Sequence, residues 1–411
     1  MSQSTDIKKI ALEQLKPGMY VHDLDCGWLQ HPFLLPRFRV NDEGAIQKIA
    51  NAGIRSLYID TSRGDDVVEA PTFAESVKET RQRIVSLGEM RAEKAKATIS
   101  LEEERRRAAK LFREASRVVA SVLHSARIGQ YAELERLNPV VEKICDSIFR
   151  HSDALIPLAR LKQHDSYTFE HAVASAAMMA SFARGLNLSR AQIHEVALGA
   201  MLQDIGMSRV PTNILEKPDR LNPNEVAVVR GHVEHSHDIA QELASLPMAT
   251  MEVIAQHHER IDGTGYPFRL RGSQISSHGQ MAAIVDVYDA MTSQRPYQNA
   301  TAPTAALRKL FEWGQHHFNG DLVQSFIRSV GIYPVGSLVR LESGMLGVVM
   351  EQTDELLKPV VKIIFNTKTS NYLLPPVVIR VGRLAGANHG AIVGPESYAR
   401  WNIDPIRWIP V

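Results

Sequence analysis

The sequence predicts a multidomain α+β protein, an all-α core flanked by small β-rich units at its N- and C-terminal ends. Three observations predict it. Residues 8–66 hold short β-type runs cut by turn residues. From residue 71 to 333 the texture is helical, and from about Pro334 the apolar spacing returns to period two. A chain of 411 residues has room for about two to three domains, each burying its own core. With 44% hydrophobic and 23% charged residues, the composition is that of an ordinary soluble protein.

Each unit follows from its residues. The N-terminal unit, residues 1–70, has β-type runs MYVHDL and SLYID, with turns at Pro17-Gly18, Gly44 and Gly53 and one short helix around Gln47–Asn51. In this unit Trp28 and Phe33 are expected in a small core of their own. Residues 71–150 form a helical connector: they are rich in Ala, Glu, Arg, Lys and Leu and free of proline before Pro139. The charge run Glu102–Arg107 reads as a solvated helix face. Helical windows then cover roughly Thr168–Gly185, Arg190–Ile205, Pro223–Leu246, Met251–His258, Gly279–Thr292 and Ala302–Gly314, with a last one after Asp321, all within a unit spanning 151–333. The runs SLVRLESGMLGVVME and VVKIIFNTKTSNYLLPPVVIRV place a small β-unit over 334–411.

Composition also excludes function classes. A formal net charge of +1 gives no global pull toward nucleic acid or a membrane surface, so neither DNA nor a membrane is expected as a partner. The longest apolar candidate, HAVASAAMMASFARGL, is interrupted by Ser175, Ser181 and Arg184, short of the roughly 18 unbroken apolar residues a span needs. The first residues carry no apolar run of signal-peptide length. Cys26 and Cys145 stand far apart with no metal or redox spacing, so both are expected buried and the protein cytoplasmic.

The chemistry concentrates in AQHHERIDGTGYP, residues 255–267, where adjacent imidazoles at His257 and His258 run into a glycine-rich turn. His171, Asp204, His232 and Asp286 come from separate helical windows. Imidazole nitrogens and carboxylate oxygens are the donor set of Fe, Mn, Zn and Co, and a carboxylate can bridge two ions. Paired ions clamp the attacking and leaving oxygens of a phosphoryl displacement. The set therefore points to phosphoester hydrolysis. His235, one turn beyond His232, reads as a partly exposed helix residue; Asp289 fits either the site or a structural hydrogen bond; His316 and His317 read as solvated.

The segments YTFEHAV, AMLQDIGMSRVP, ILEKPDRL, RGHVEHS, HHERIDGTGYP and VDVYDAMTSQRPY, in that order over residues 167–330, resemble the HD-GYP domain, a branch of the HD phosphohydrolase superfamily. The KPGMYV, WLQHPF and YID segments resemble a small domain that often precedes it. The resemblance implies an all-helical HD-type core, iron or manganese, and hydrolysis of cyclic di-GMP to pGpG or GMP. It makes His171, Asp204 and Asp286 ligands of one ion, with Asp204 bridging to a second held by His232, His257 and His258. It places Arg295 toward substrate phosphate and Gly263, Gly265, Tyr266 and Pro267 in the loop that names the family. Asp204 and Arg295 are thus the catalytic candidates. Where some members bind a third ion through a glutamate, this chain has Tyr167, so two ions at most are expected, with a single ion as the other option.

The pattern is altered at three places. Gln203 stands where the family has a ligating histidine; its carbonyl oxygen and water are the available substitutes. Met207 replaces a lysine placed to neutralise phosphate, and Gln298 and Asn299 follow RPY where a second cation is common. The expected function is a weak or conditional phosphodiesterase. The alternatives are a catalytically silent cyclic di-GMP receptor or adaptor, contacting a diguanylate cyclase or another signalling partner through the GYP loop, and a phosphohydrolase of another nucleotide. Long amphipathic helices make a homodimer plausible.

Overall fold

Alternation of inward and outward side chains builds the first sheet. The computed structural model describes residues 6–25, 37–88, 99–161, 167–217, 221–243, 246–293, 300–314, 316–382 and 389–410. Strands β1 (Ile7–Ala11), β2 (Tyr20–Asp23), β3 (Phe38–Arg39) and β4 (Ser56–Asp60) form an antiparallel sheet in the order β1-β4-β2-β3. Helix α1 (Glu43–Asn51) is capped by Asp42, whose side chain accepts from Ala45 N, and packs Ile49 into a core with Ile10, Val21, Leu57 and Ile59. Trp28, Phe33 and Cys26 lie outside the described residues.

Helices α2 (Phe73–Leu87), α3 (Leu101–Arg127) and α4 (Asn138–Arg150) follow. The inward stripe of α3 runs through Ala108, Phe112, Ala115, Val119, Val122 and Ala126, and these side chains share one continuous core with α4 and the helices beyond. The charge run is not a solvated face throughout. Consecutive helix residues turn about 100°, so the same stripe carries Glu104 inward and leaves Glu102, Glu103, Arg106 and Arg107 outside. Glu104 is fully buried, taking Arg150 at 2.7 and 2.9 Å and Ser147 Oγ at 2.6 Å. Arg105, also buried, donates to Met350 O.

The helical core continues with α5 (Ser152–Leu155), α6 (Tyr167–Gly185), α7 (Arg190–Leu202), α8 (Thr212–Leu215), α9 (Pro223–Arg230), α10 (His232–Glu242), α11 (Met248–Gln256), α12 (Ser277–Thr292), α13 (Pro303–Trp313) and α14 (Gly320–Val330). Helix α6 is buried on every side from His171 to Ala183, as expected of a helix apolar all round. Two expected helices differ. The window 190–205 stops at Leu202 and passes into a 3-10 turn, Ile205–Arg209; the window 223–246 divides at Gly231 into α9 and α10. Both breaks fall beside site residues. A Cβ on Gly206 would stand 2.1 Å from His232 O, so only glycine lets the Asp204 turn press against the first turn of α10.

Strands β5 (Leu338–Leu341), β6 (Met345–Glu351), β7 (Val360–Asn366), β8 (Asn371–Arg380) and β9 (Ile392–Pro395) pair antiparallel in the order β8-β7-β6-β5-β9, followed by α15 (Tyr398–Trp401). One face of this sheet, with Val339, Leu341, Val349, Val361 and Ile363, joins the helical core; Leu346, Val348 and Ile364 belong to a smaller cluster with Ile403 and Ile409. The fold is therefore a helical core flanked by two small antiparallel sheets. Cys145 is buried, and burial pushes its thiol up to about 12. Among the described residues no helix is long and apolar enough to cross a membrane.

Candidate metal centre

Local sequence decides which helix end each donor occupies, and packing aims it. His171 opens α6, Asp204 follows α7, His232 opens α10, His257 and His258 follow α11, and Asp286 lies on α12. Helices α7 and α11 cross closely because Gly199 replaces a side chain at the contact: a Cβ there would meet Val253 Cβ at 2.7 Å. That crossing, and Gly206 N donating to Ser236 Oγ at 2.8 Å, bring the ends of α7, α10 and α11 together.

Asp204 is the hub. Its Oδ1 lies 3.1 Å from His232 Nε2 and 3.7 Å from His257 Nε2; its Oδ2 lies 3.3 Å from His171 Nε2. His171 Nε2 is also 3.3 Å from Asp286 Oδ1, and His258 Nδ1 is 3.5 Å from Asp286 Oδ2. All six expected ligands thus meet at one place, with donor atoms of Asp204, His232, His257 and His258 within 4.8 Å of one another. Donors about 2.1 Å from a shared ion stand roughly 3.0–3.4 Å apart, close to these spacings.

The histidine tautomers supply the test of fit. His232 Nδ1 donates to Val229 O at 2.7 Å and His257 Nδ1 donates to Ile254 O at 2.9 Å. Each ring therefore spends its proton on the carbonyl three residues back. Their Nε2 lone pairs then face each other across 3.4 Å, an arrangement that repels unless a cation lies between them. The residues fit a divalent ion. Desolvation raises the Asp204 carboxyl, but the close ring nitrogens of His171, His232 and His257 outweigh it and hold the group well below the usual carboxylate range. Burial, and then the neighbouring imidazoles of His257 and His232, hold His258 far below the ordinary imidazole range, so its ring is neutral and able to ligate.

Around the donors stands a set of supports. Asp289, buried one helical turn after Asp286, takes His171 Nδ1 at 2.5 Å, fixing the ring so that Nε2 points at Asp204 and Asp286. It belongs to the site. Asp289→Asn is expected to lower metal affinity about 10- to 100-fold, measured by competitive metal titration of the apoprotein; unchanged affinity would make Asp289 a packing residue only. Tyr266 stacks on the His258 ring at 4.7 Å and 26°, and the Arg230 guanidinium lies 5.0 Å from the other ring's centroid, that of Tyr266.

The loop between α11 and α12 is built by glycine and carboxylates. Gly263 has φ +79°, and a Cβ on Gly265 would stand 2.4 Å from Arg260 N. Buried Glu259 accepts from Phe268 N at 2.8 Å and Leu270 N at 3.0 Å. His317 is not solvated: its Nδ1 bonds Asp262 Oδ2 at 2.9 Å. Asp262 also accepts from Thr264 N and Oγ1. Desolvation works against these bonds, which nonetheless hold the Asp262 carboxyl at about 2. His316 is exposed and His235 half-buried.

Gln203 is buried, with Nε2 3.4 Å from Asp286 Oδ1. The amide nitrogen, not the carbonyl oxygen, thus faces the donors. Met207 is half-buried. Arg295, Gln298 and Asn299 lie outside the described residues, as does the Tyr167 side chain.

Two family models match this chain: an HD domain over residues 147–322 and a domain of unknown function, DUF3391, over residues 7–137. The chain is 38% identical to the protein named cyclic di-GMP phosphodiesterase PA4108 of Pseudomonas aeruginosa over 398 residues, 96% of this chain and 94% of that one. It belongs to the HD-GYP family. A Thermotoga maritima protein named cyclic di-GMP phosphodiesterase is 27% identical over 50% of this chain and 58% of its own. A Vibrio cholerae protein named 3'3'-cGAMP-specific phosphodiesterase 2 is 28% identical over 52% of this chain and 44% of its own.

In this HD-GYP protein the residues that sequence reasoning missed are Glu259, Asp262 and the support role of His317. Glu259 carries a weak signal, an acidic residue inside an otherwise turn-forming stretch. For His317, 55 residues from its partner, no local signal exists.

Proposed function

We propose that this HD-GYP protein hydrolyses the phosphodiester bonds of cyclic di-GMP, yielding pGpG, GMP or both. The observation that carries the reading is Asp204 standing between two donor sets in a chain similar over nearly its whole length to a named cyclic di-GMP phosphodiesterase. His232, His257 and His258 with Asp204 would hold one divalent ion; His171 and Asp286 with Asp204 would hold a second, more weakly, because Gln203 adds no nitrogen. The centre takes two ions at most, iron or manganese. When bound, such ions polarise the phosphoryl oxygens and acidify a water.

The rest falls to the chain. Asp204 fixes the spacing of the two donor sets. Asp289 fixes the His171 ring. Tyr266, shaped by Gly263, Gly265 and Pro267, walls the substrate side beside His258, and the family resemblance assigns Arg295 to substrate phosphate. Met207 leaves that side without one cation, so turnover is slow. The working division is an N-terminal unit over 1–70, a connector over 71–150, the catalytic unit over 151–333 and a C-terminal β-unit over 334–411. The setting is the cytoplasm, as a homodimer, with the GYP loop available to a diguanylate cyclase.

The test is incubation of anaerobically purified protein, loaded with Fe(II) or Mn(II), with cyclic di-GMP and separately with 3'3'-cGAMP. Metal-dependent pGpG or GMP is expected from the first. Tight binding of cyclic di-GMP with no product would replace the enzyme by a receptor; product from 3'3'-cGAMP alone would change the substrate.

A further inference from the structure

The N-terminal unit, which matches the family model of a domain of unknown function, touches the active-site loop along two routes. The first is direct. After α1 the chain reverses at Gly53, where φ is +79° and a Cβ would stand 2.3 Å from Thr264 Cγ2 and 2.8 Å from its Cβ. Glycine is needed there twice over, for the backbone angle and for the approach to a second unit. Thr264 lies between Gly263 and Gly265.

The second route passes through the end of α13. Buried Glu312 receives Lys9 Nζ at 2.5 Å, Thr80 Oγ1 at 3.2 Å and Tyr58 OH at 3.4 Å. It also pairs with Arg308, one helical turn earlier, at 2.8 Å. Beside it Trp313 Nε1 donates to Asp25 O at 2.7 Å. One turn beyond, His317 closes on the loop, with its ring on Asp262 and its carbonyl accepting from Ile261 N at 3.1 Å. Asp262 in turn fastens Thr264. Both routes therefore end on the same four residues, Asp262 to Gly265, immediately before the tyrosine that stacks on His258.

We infer that the N-terminal unit is a clamp that positions the glycine loop over the metal centre, with Gly53, Lys9 and Glu312 as its positioning residues. A stretch with two glycines in four residues has much backbone entropy to lose. Glu259 ties down the residues after Pro267; the clamp holds the stretch before Tyr266. Opening it loosens the loop and weakens substrate binding, while the ligands, which are set by α6, α7, α10, α11 and α12, keep their ions. The expected effect on KM rests on the proposed phosphodiesterase reading; the effect on the loop does not.

The experiment uses the metal-loaded full chain and two variants, Gly53→Ala, which wedges the direct contact, and Lys9→Met, which removes the cation from Glu312, together with the double variant. Amide hydrogen exchange across residues 259–272 is expected to rise about tenfold in the double variant, with metal content unchanged. KM should rise about tenfold with kcat within roughly twofold. Protection of the Leu57 and Ile59 amides reports whether the N-terminal sheet is intact. Faster exchange at 51–60 and 309–314 with the loop as protected as in the wild type would overturn the clamp. So would loss of metal in step with loop exchange, since the contact would then be general structural support. Exchange and metal content are read without substrate. Faster loop exchange in a protein that cleaves no cyclic dinucleotide would keep the clamp and sink the substrate reading.

Discussion

Asp204→Asn is expected to lower kcat/KM by at least about 10³-fold and to leave the purified protein short of metal. Asparagine keeps the volume of the side chain, so folding is preserved and the loss is chemical. One carboxylate oxygen serves His232 and His257 while the other serves His171; an amide replaces one of those acceptors with a donor and removes the negative charge that three imidazoles converge on. Metal content by mass spectrometry and turnover of cyclic di-GMP check this together. A variant that keeps both ions and most of its activity would remove Asp204 from its bridging place and, with it, the reading of the six donors as one centre.

The second large effect runs the other way. Gln203→His is expected to raise affinity for the second ion about 10- to 100-fold, and to raise turnover with it. Gln203 stands buried at the end of α7 and offers its amide nitrogen to Asp286 Oδ1, the oxygen that also faces His171 Nε2. It therefore draws on a ligand's lone pair and contributes none. An imidazole at that position adds a neutral nitrogen donor to His171, Asp204 and Asp286. Metal titration of the apoprotein, counting ions per chain in wild type and variant, decides the matter. Wild type already binding two ions tightly, with the histidine changing nothing, would show that the centre has compensated for the missing ligand.

Much of this was legible in the residues. The period of the apolar pattern separates the two flanking sheets from the helices between them, because a strand repeats every two residues and a helix every 3.6. The six donors were legible too, through the resemblance and the order of their segments. What failed locally failed for one reason. The charge run Glu102–Arg107 looks solvated in sequence, yet Glu104 is sealed inside by Arg150 and Ser147 from α4. The window 223–246 reads as one helix, yet it turns at Gly231 so that His232 can aim its ring.

Sequence by itself determined which side chains are present at each helix end, since helix periodicity and caps are properties of neighbours. Only the tertiary structure decided how those side chains point. His171 spends its proton on Asp289 from another helix, whereas His232 and His257 spend theirs on carbonyls three residues back, and packing is what then aims their Nε2 atoms at Asp204. His317 finds Asp262, and Gly53 finds Thr264, across hundreds of residues or tens of them. Such partners are set by packing of whole helices and units against one another, where burial makes an unpaired polar group costly, and no local spacing encodes them.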